Sequence, residues 1–140
     1  MKNKFSKKWN TSVQVRKQRK FRYNAPLHIR RKFVASHLAK ELRAKYSRRS
    51  LLVRKGDKEK IMRGQHKGKT GKVERVDIKK TKIYVAGIDK TKKDGSKSFY
   101  PFQPSNLLIT ELVLDDKKRQ VILQRNITPQ KGTQNDKKSS

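Results

Sequence analysis

The stretch Arg63-Gly64-Gln65-His66-Lys67-Gly68-Lys69-Thr70-Gly71-Lys72-Val73 comes nearest to chemistry, because Gly68-Lys69-Thr70 matches the end of a nucleotide-binding phosphate loop. That loop needs four residues between its first glycine and the Gly-Lys-Thr, so that backbone amides can wrap the phosphates before a helix begins. Only three residues separate Gly64 from Gly68. The continuation is also wrong, since Gly71 and the β-branched Val73, Val76 and Ile78 make a strand rather than a helix. The stretch reads better as a tight, glycine-punctuated loop between two strands, with backbone angles or a close approach that glycine permits. Its Lys67, Lys69 and His66 either reach phosphates or form the solvated tip of an ordinary hairpin, and the residues alone leave both open.

Other chemistry is thin. His28, His37 and His66 lie in different segments with no ligand spacing between them, which argues against a metal site. The chain has no cysteine, so disulfides, thiolate zinc sites and cysteine nucleophiles are all excluded. Asp115-Asp116 is better placed to cap a helix than to act as a pair of catalytic acids, and no Ser-His-acid set is suggested by spacing. We therefore expect no enzyme, no catalytic residue, no cofactor and no small-molecule substrate.

What the chain does have is charge. Its 140 residues carry 40 Lys+Arg against 11 Asp+Glu, a formal net charge of +29. Such an excess destabilises a free compact domain by self-repulsion, so a polyanion must balance it. Nucleic acid is the first candidate and an anionic membrane surface the second. The membrane reading lacks the apolar helix face that anchoring needs, and no apolar run approaches the ~20 residues of a spanning helix. Residues 1–50 hold 17 Lys+Arg and a single acid, Glu41. Leu, Ile, Val and Phe make up 21 of the 75 residues 51–125 but 11 of the 65 outside that window. The middle can therefore bury a core, whereas the ends are expected to order only against a partner.

Residues 1–22 read as an extended basic tail in which Trp9, Phe21 and Tyr23 alternate with Lys17, Arg19, Lys20 and Arg22. Such aromatics either stack on bases or pack back on the folded part. Pro26 suits the first turn of a short helix with an Ile29–Phe33 stripe, and Ser36 is placed to cap a second with Leu38, Leu42 and Tyr46 at four-residue spacing. Glu41 and Lys45 are spaced for an ion pair on that second helix. From Leu51 onward the pattern becomes strand-like: Leu51–Val53, Lys60–Arg63, Lys72–Ile78, Ile83–Val85, Phe99–Phe102, Leu107–Ile109 and Leu112–Leu114. The odd spacing of Val73 and Val76 requires a bulge, Gly87 a kink, and Pro101 an edge strand or bulge. Asp94-Gly95 signals a hairpin, and Asp115 or Asp116 is placed to cap a helix from Lys117 to about Arg125, with a strand from Gln120 to Gln124 as the alternative. Short strands at this density suggest a small barrel.

Three ordered segments carry a resemblance. Val53-Arg54-Lys55-Gly56-Asp57 through Ile61-Met62-Arg63-Gly64, then His66 to Val73, resembles the KOW motif of ribosomal and transcription-elongation proteins. Arg22 to Lys32 and Ser36 to Arg43 resemble the N-terminal extension of the archaeal/eukaryotic form of the large-subunit ribosomal protein family counted twenty-fourth in the bacterial scheme. Tyr100-Pro101-Phe102-Gln103-Pro104-Ser105-Asn106-Leu107-Leu108-Ile109-Thr110 resembles the late barrel strand of that family. The resemblance covers roughly residues 16–125. Two departures are the charged Lys58-Glu59-Lys60 where an alternating strand is usual, and Phe102-Gln103 where an aliphatic residue and His are common.

The resemblance implies a mainly β fold: an SH3-like KOW β-barrel over 51–114, a basic N-terminal extension with two short helices over 1–50, a C-terminal helix over 115–125 and a disordered tail over 126–140. It implies a structural constituent of the large ribosomal subunit that binds large-subunit ribosomal RNA, aids assembly, lies near the peptide exit tunnel and touches neighbouring ribosomal proteins. A cytoplasmic ribosome is the expected location, with nucleolar transit only in a eukaryotic source; no homo-oligomer and no membrane partner are expected. The residues expected on RNA are Lys17, Arg19, Lys20, Arg22, Tyr23, His28, Arg30, Arg31, Lys32, Arg48, Arg49, Arg54, Arg63, Gly64, His66, Lys67, Gly68 and Lys69. The alternative is a KOW-type transcription elongation factor, for whose further domains this chain has no room.

Overall fold

Proline and glycine punctuate the chain where the helices and turns change. The computed structural model describes residues 5–125. A 3-10 turn, Lys7–Thr11, leads into helix α1, Val15–Asn24. Proline disfavours helical angles in the residue before it, and Ala25 is accordingly extended (φ −60°, ψ 129°), which ends α1 before Pro26. Helix α2, Leu27–Phe33, starts immediately after. The segment read as an extended tail is thus largely helical. Phe21 is buried between Phe5 (ring centroids 5.3 Å apart) and Phe33 (5.8 Å). The Gln18 side-chain amide donates to the carbonyls of Asn10 and Ser12, both at 2.8 Å, and ties the 3-10 turn to α1. A helix this short gains its stability from such packing rather than from propensity.

The second expected helix begins later than its spacing suggests. Ala35–Leu38 is strand β1, and α3 covers only Lys40–Tyr46. Ser36 is no cap, because its hydroxyl is buried and donates to the Pro104 carbonyl (2.9 Å). The pairing of β1 with its neighbours overrides the i, i+4 pattern of Leu38 and Leu42. The Glu41–Lys45 pair does not form: the ion pairs of the described residues join Arg54 to Asp116, Lys55 to Glu74, Lys58 to Glu111 and Arg119 to Asp57.

The remaining strands are β2, Ser50–Leu52; β3, Lys58–Ile61; β4, Thr70–Asp77; β5, Lys82–Thr91; β6, Lys97–Phe102; and β7, Leu107–Glu111. They form one mixed sheet in the order β2-β1-β7-β3-β4-β5-β6, in which only β1–β7 is parallel. The fold is therefore mainly β. Its hydrogen bonding leaves β2 and β6 as edges, so the sheet is not closed. The register shifts between Val73 and Arg75, as the Val73/Val76 spacing requires. Gly87 has φ +79° and interrupts the β5–β6 ladder, and Pro101 lies on edge strand β6. Leu112–Leu114 forms no strand. Leu38, Ile61, Val73, Ile83, Val85, Leu107 and Ile109 fill the core.

Helix α4, Lys117–Gln124, is capped by Asp116, whose carboxylate accepts from the Lys118 N–H at 2.7 Å. That bond first, and the Arg54 guanidinium second, hold the Asp116 carboxyl below its ordinary value. Leu123 and Arg119 anchor the helix. Arg119 is buried and grips both Asp57 oxygens (2.7 and 2.6 Å) while donating to the carbonyls of Val113 and Leu52. Asp57 also accepts from the backbone N–H groups of Arg54 and Val113, so the buried carboxylate is fully paired. Its sequence position in a Gly56-Asp57 turn gave no sign of this partner, which lies 62 residues away.

A candidate nucleic-acid interface

The β3–β4 loop is built by its two flanking glycines. Gly64 (φ +89°) and Gly68 (φ +90°) adopt backbone angles that L side chains rarely take. Between them the Lys67 N–H donates to Gly64 O (3.0 Å), and the Gly68 N–H returns to Ile61 O (2.8 Å). No side chain would clash at either glycine. Backbone conformation, not crowding, requires them. Arg63, Lys67 and Lys69 are exposed at this tip. His66 is half-buried and packs edge-on against Tyr100 (5.0 Å) and Phe102 (6.0 Å). Sequence reasoning nominated it for phosphate contact, and its ring also holds the loop against β6.

A second surface surrounds the α1–α2 corner. Arg19, Arg22, Tyr23 and Arg30 face Lys79, Lys80 and Thr81 of the β4–β5 turn across a cleft of about 690 Å³. On the other side of the corner, Lys7, Arg22 and Lys32 line a cavity of about 800 Å³ with Gln103 and Ser105. The Met62 N–H donates to Asn106 O (2.8 Å), so the glycine loop springs from the same turn that bears Ser105. A third group, Arg31, Arg48 and Arg54, rims a largely apolar groove with Lys55 and Arg75. His28, Lys17, Lys20 and Arg49 are exposed outside these three groups.

Three of the nominated cations are already engaged. The Arg30 guanidinium donates to Ala25 O (2.8 Å) and to Tyr23 O, which fixes the α1–α2 corner. Arg48 donates to Ile122 O near the end of α4 (3.1 Å), and Arg54 pairs with Asp116. Among the described residues the other ten nominated lysines and arginines form no hydrogen bond or ion pair through their side chains, although the Lys20 ammonium lies 4.8 Å from the Trp9 ring. No carboxylate of the described residues lines either cavity at the α1–α2 corner. An arrangement of many free cations and few acids neutralises a phosphate backbone and does little else chemically.

The sequence reading missed Lys7, Lys79, Lys80, Lys55 and Arg75. Lys79-Lys80 was legible only as a turn, yet two adjacent lysines on a turn of a polyanion-binding chain were the available signal. Among the described residues no group of three or more His, Asp or Glu could hold a metal ion, and no helix is long and apolar enough to cross a membrane.

The chain is similar to known proteins over most of its length. The family model that describes the ribosomal proteins called L26 in eukaryotes and L24 in archaea matches residues 12–126. The large ribosomal subunit protein uL24 of Methanosphaera stadtmanae is 47% identical over 116 residues, which cover 83% of this chain and 99% of that relative. The protein of the same name from Methanocella arvoryzae is 48% identical over 115 residues, covering 82% of this chain and 93% of its own length.

Proposed function

The chain belongs to the family of eukaryotic L26 and archaeal L24 ribosomal proteins, and from that premise we infer that it is held on ribosomal RNA by its α1–α2 surface and its β3–β4 loop. It is a structural constituent of the large ribosomal subunit and not an enzyme. The observation that carries the inference is the acid-free α1–α2 surface, with its free Arg19, Arg22 and Lys32. RNA phosphates supply the balancing charge that the protein itself lacks there.

The finer assignments rest on the sequence resemblance and on particular residues. The position of the glycine loop between β3 and β4 supports a KOW-type, SH3-like barrel as the finer description of the sheet. The division into a basic extension (1–50), barrel (51–114) and C-terminal helix (115–125) follows the charge and apolar distribution, with β1 of the first segment joining the sheet between β2 and β7; residues 126–140, read as a tail, lie outside the described residues. Contact with neighbouring ribosomal proteins, a part in subunit assembly, a cytoplasmic ribosome and a place near the peptide exit tunnel are the roles the family supports.

Binding to large-subunit ribosomal RNA tests this. With ten free cations in the set, the log–log dependence of affinity on salt should be steep, on the order of −7 to −9. The full chain should also travel with large subunits through a density gradient. Binding that hardly changes with salt, or sedimentation with RNA polymerase instead, would overturn the reading.

A further inference from the structure

We propose that the cleft between the α1–α2 corner and the β4–β5 turn is a pocket for one unstacked RNA nucleotide, with its base on Tyr23 and its flanking phosphates on Arg19, Arg22, Lys79 and Lys80. The proposal rests on the RNA-binding reading of the chain and deepens it, because it specifies what kind of RNA structure this surface takes.

Size is the first argument. A cleft of about 690 Å³ falls in the range that encloses a small ligand. It cannot admit a double helix, which could only lie across its mouth. Proteins that read RNA do so largely through unpaired nucleotides, whose bases are splayed out and stacked on aromatic or guanidinium planes. Both kinds of plane line this cleft. The Tyr23 side is open: the residue is 74% exposed although it lies beside the packed Phe21 cluster. Phe33 contributes to the wall and is itself held edge-on against Phe21 at 64°.

Rigidity is the second argument. The Arg30 guanidinium donates to the carbonyls of Ala25 and Tyr23, so the backbone under the stacking ring is fixed. Opposite it, the Asp77 carboxylate accepts from the Lys80 N–H (2.9 Å), and Thr81 completes the turn at φ +53° with its hydroxyl on Lys80 O (2.7 Å). Both walls are thus set before any ligand arrives, which lowers the ordering cost of binding. The cations themselves stay free, since Arg19, Arg22, Lys79 and Lys80 have no side-chain partner among the described residues. An acidic protein segment would satisfy the same charges, but it would leave the open Tyr23 ring without a role.

The test compares two probes with the full chain at one salt concentration: an oligoadenylate of about eight nucleotides and a blunt RNA duplex with the same number of phosphates. Tyr23→Ala should weaken the single strand by roughly tenfold or more, as loss of one stacked base does, and leave the duplex within about twofold. Tyr23→Phe keeps the ring and should retain the affinity. Lys79→Gln with Lys80→Gln should weaken both probes and make the salt slope shallower by about one to two. The charge-matched pair Lys92→Gln with Lys93→Gln, on the β5–β6 hairpin, should leave the preference for the single strand intact. Equal loss for both probes on Tyr23→Ala, or no loss for either, would overturn the pocket while leaving the RNA-binding reading standing, and dependence on the lysines alone would point to an acidic partner instead. A wild-type chain that bound neither probe nor large-subunit RNA would sink both.

Discussion

Replacing Glu59 by Gln should remove a pH dependence of stability built into the middle of β3. Glu59 is fully buried beside the core, and neither of its carboxyl oxygens has a hydrogen-bond partner among the described residues. Burial, and after it the neighbouring Asp57 carboxylate, push its pKa from the ordinary 4.5 to about 8. The Ser36 hydroxyl offsets this only in part, for its own proton goes to Pro104 O. In the unfolded chain the carboxyl keeps its ordinary value. Below about pH 4.5 both states are protonated and Glu59 adds no pH dependence. Between about pH 4.5 and 8 the unfolded chain has lost the proton that the folded chain keeps, so stability falls as pH rises, by about 1.4 kcal/mol per unit. The whole window amounts to at most about 5 kcal/mol, of which roughly 3 is already lost by pH 7. The amide of the Glu59→Gln variant stays neutral throughout. Urea unfolding followed by circular dichroism from pH 5 to 9, at fixed ionic strength, should show the variant gaining on wild type up to about pH 8 and then levelling off. A free-energy difference that does not change with pH would refute the reasoning, whatever its absolute size.

Arg119→Met leaves Asp57 charged, buried and without its guanidinium, and should cost about 3–5 kcal/mol in chemical denaturation, with faster amide exchange in α4; a loss under about 1 kcal/mol would show that the pair does not dock the helix. Gly71→Ala puts a Cβ 2.6 Å from Val85 Cγ1 and 2.8 Å from Ala86 O. The carbonyl is main chain of β5 and can retreat only if the strand moves, so thermal melts should report a loss of about 1–3 kcal/mol. Lys67→Gln with Lys69→Gln should make the salt slope of ribosomal RNA binding shallower by about 1.5, whereas an unchanged slope would mean that the β3–β4 loop has an ordinary solvated tip.

The β half of the chain was legible because its signals are local. A bulge at Val73–Val76, a kink at Gly87, a hairpin at Asp94-Gly95, an edge at Pro101 and a cap at Asp116 each follow from the conformational preference of a few neighbouring residues, and each appears. The N-terminal part was misread where tertiary contacts decide. Helix α1 reads as a tail because it has little apolar face, and its order comes from one buried phenylalanine and the bonds of Gln18. Strand β1 hides inside a helical spacing because its partners, Leu51 and Ile109 among them, lie far along the chain. The candidate site divides the same way. Charge composition identified the polyanion partner, but it could not separate Arg30, Arg48 and Arg54, which hold the protein together, from their free neighbours.

The distribution of acids explains how so cationic a chain can fold and still leave its charge available. No Asp or Glu precedes Glu41. Of the 11 acids, Asp57 pairs with Arg119, Asp116 caps α4, Asp77 and Asp94 close turns, and Glu74 and Glu111 pair with Lys55 and Lys58. Bonds from Ser96 hold the Asp94 carboxyl below its ordinary value, so that turn keeps its charge into mild acid. Six of the 11 carboxylates thus have an internal task in the β part or at the start of α4, and none of the six lines the cavities beside the cations of α1 and α2. Stability and RNA affinity therefore rest on different residues. Changes among the paired acids of the β part, Asp57 above all, should lower the unfolding free energy while leaving the salt slope of RNA binding unchanged. Charge loss on the α1–α2 surface should do the reverse, because removing like charges there relieves repulsion rather than breaking a contact.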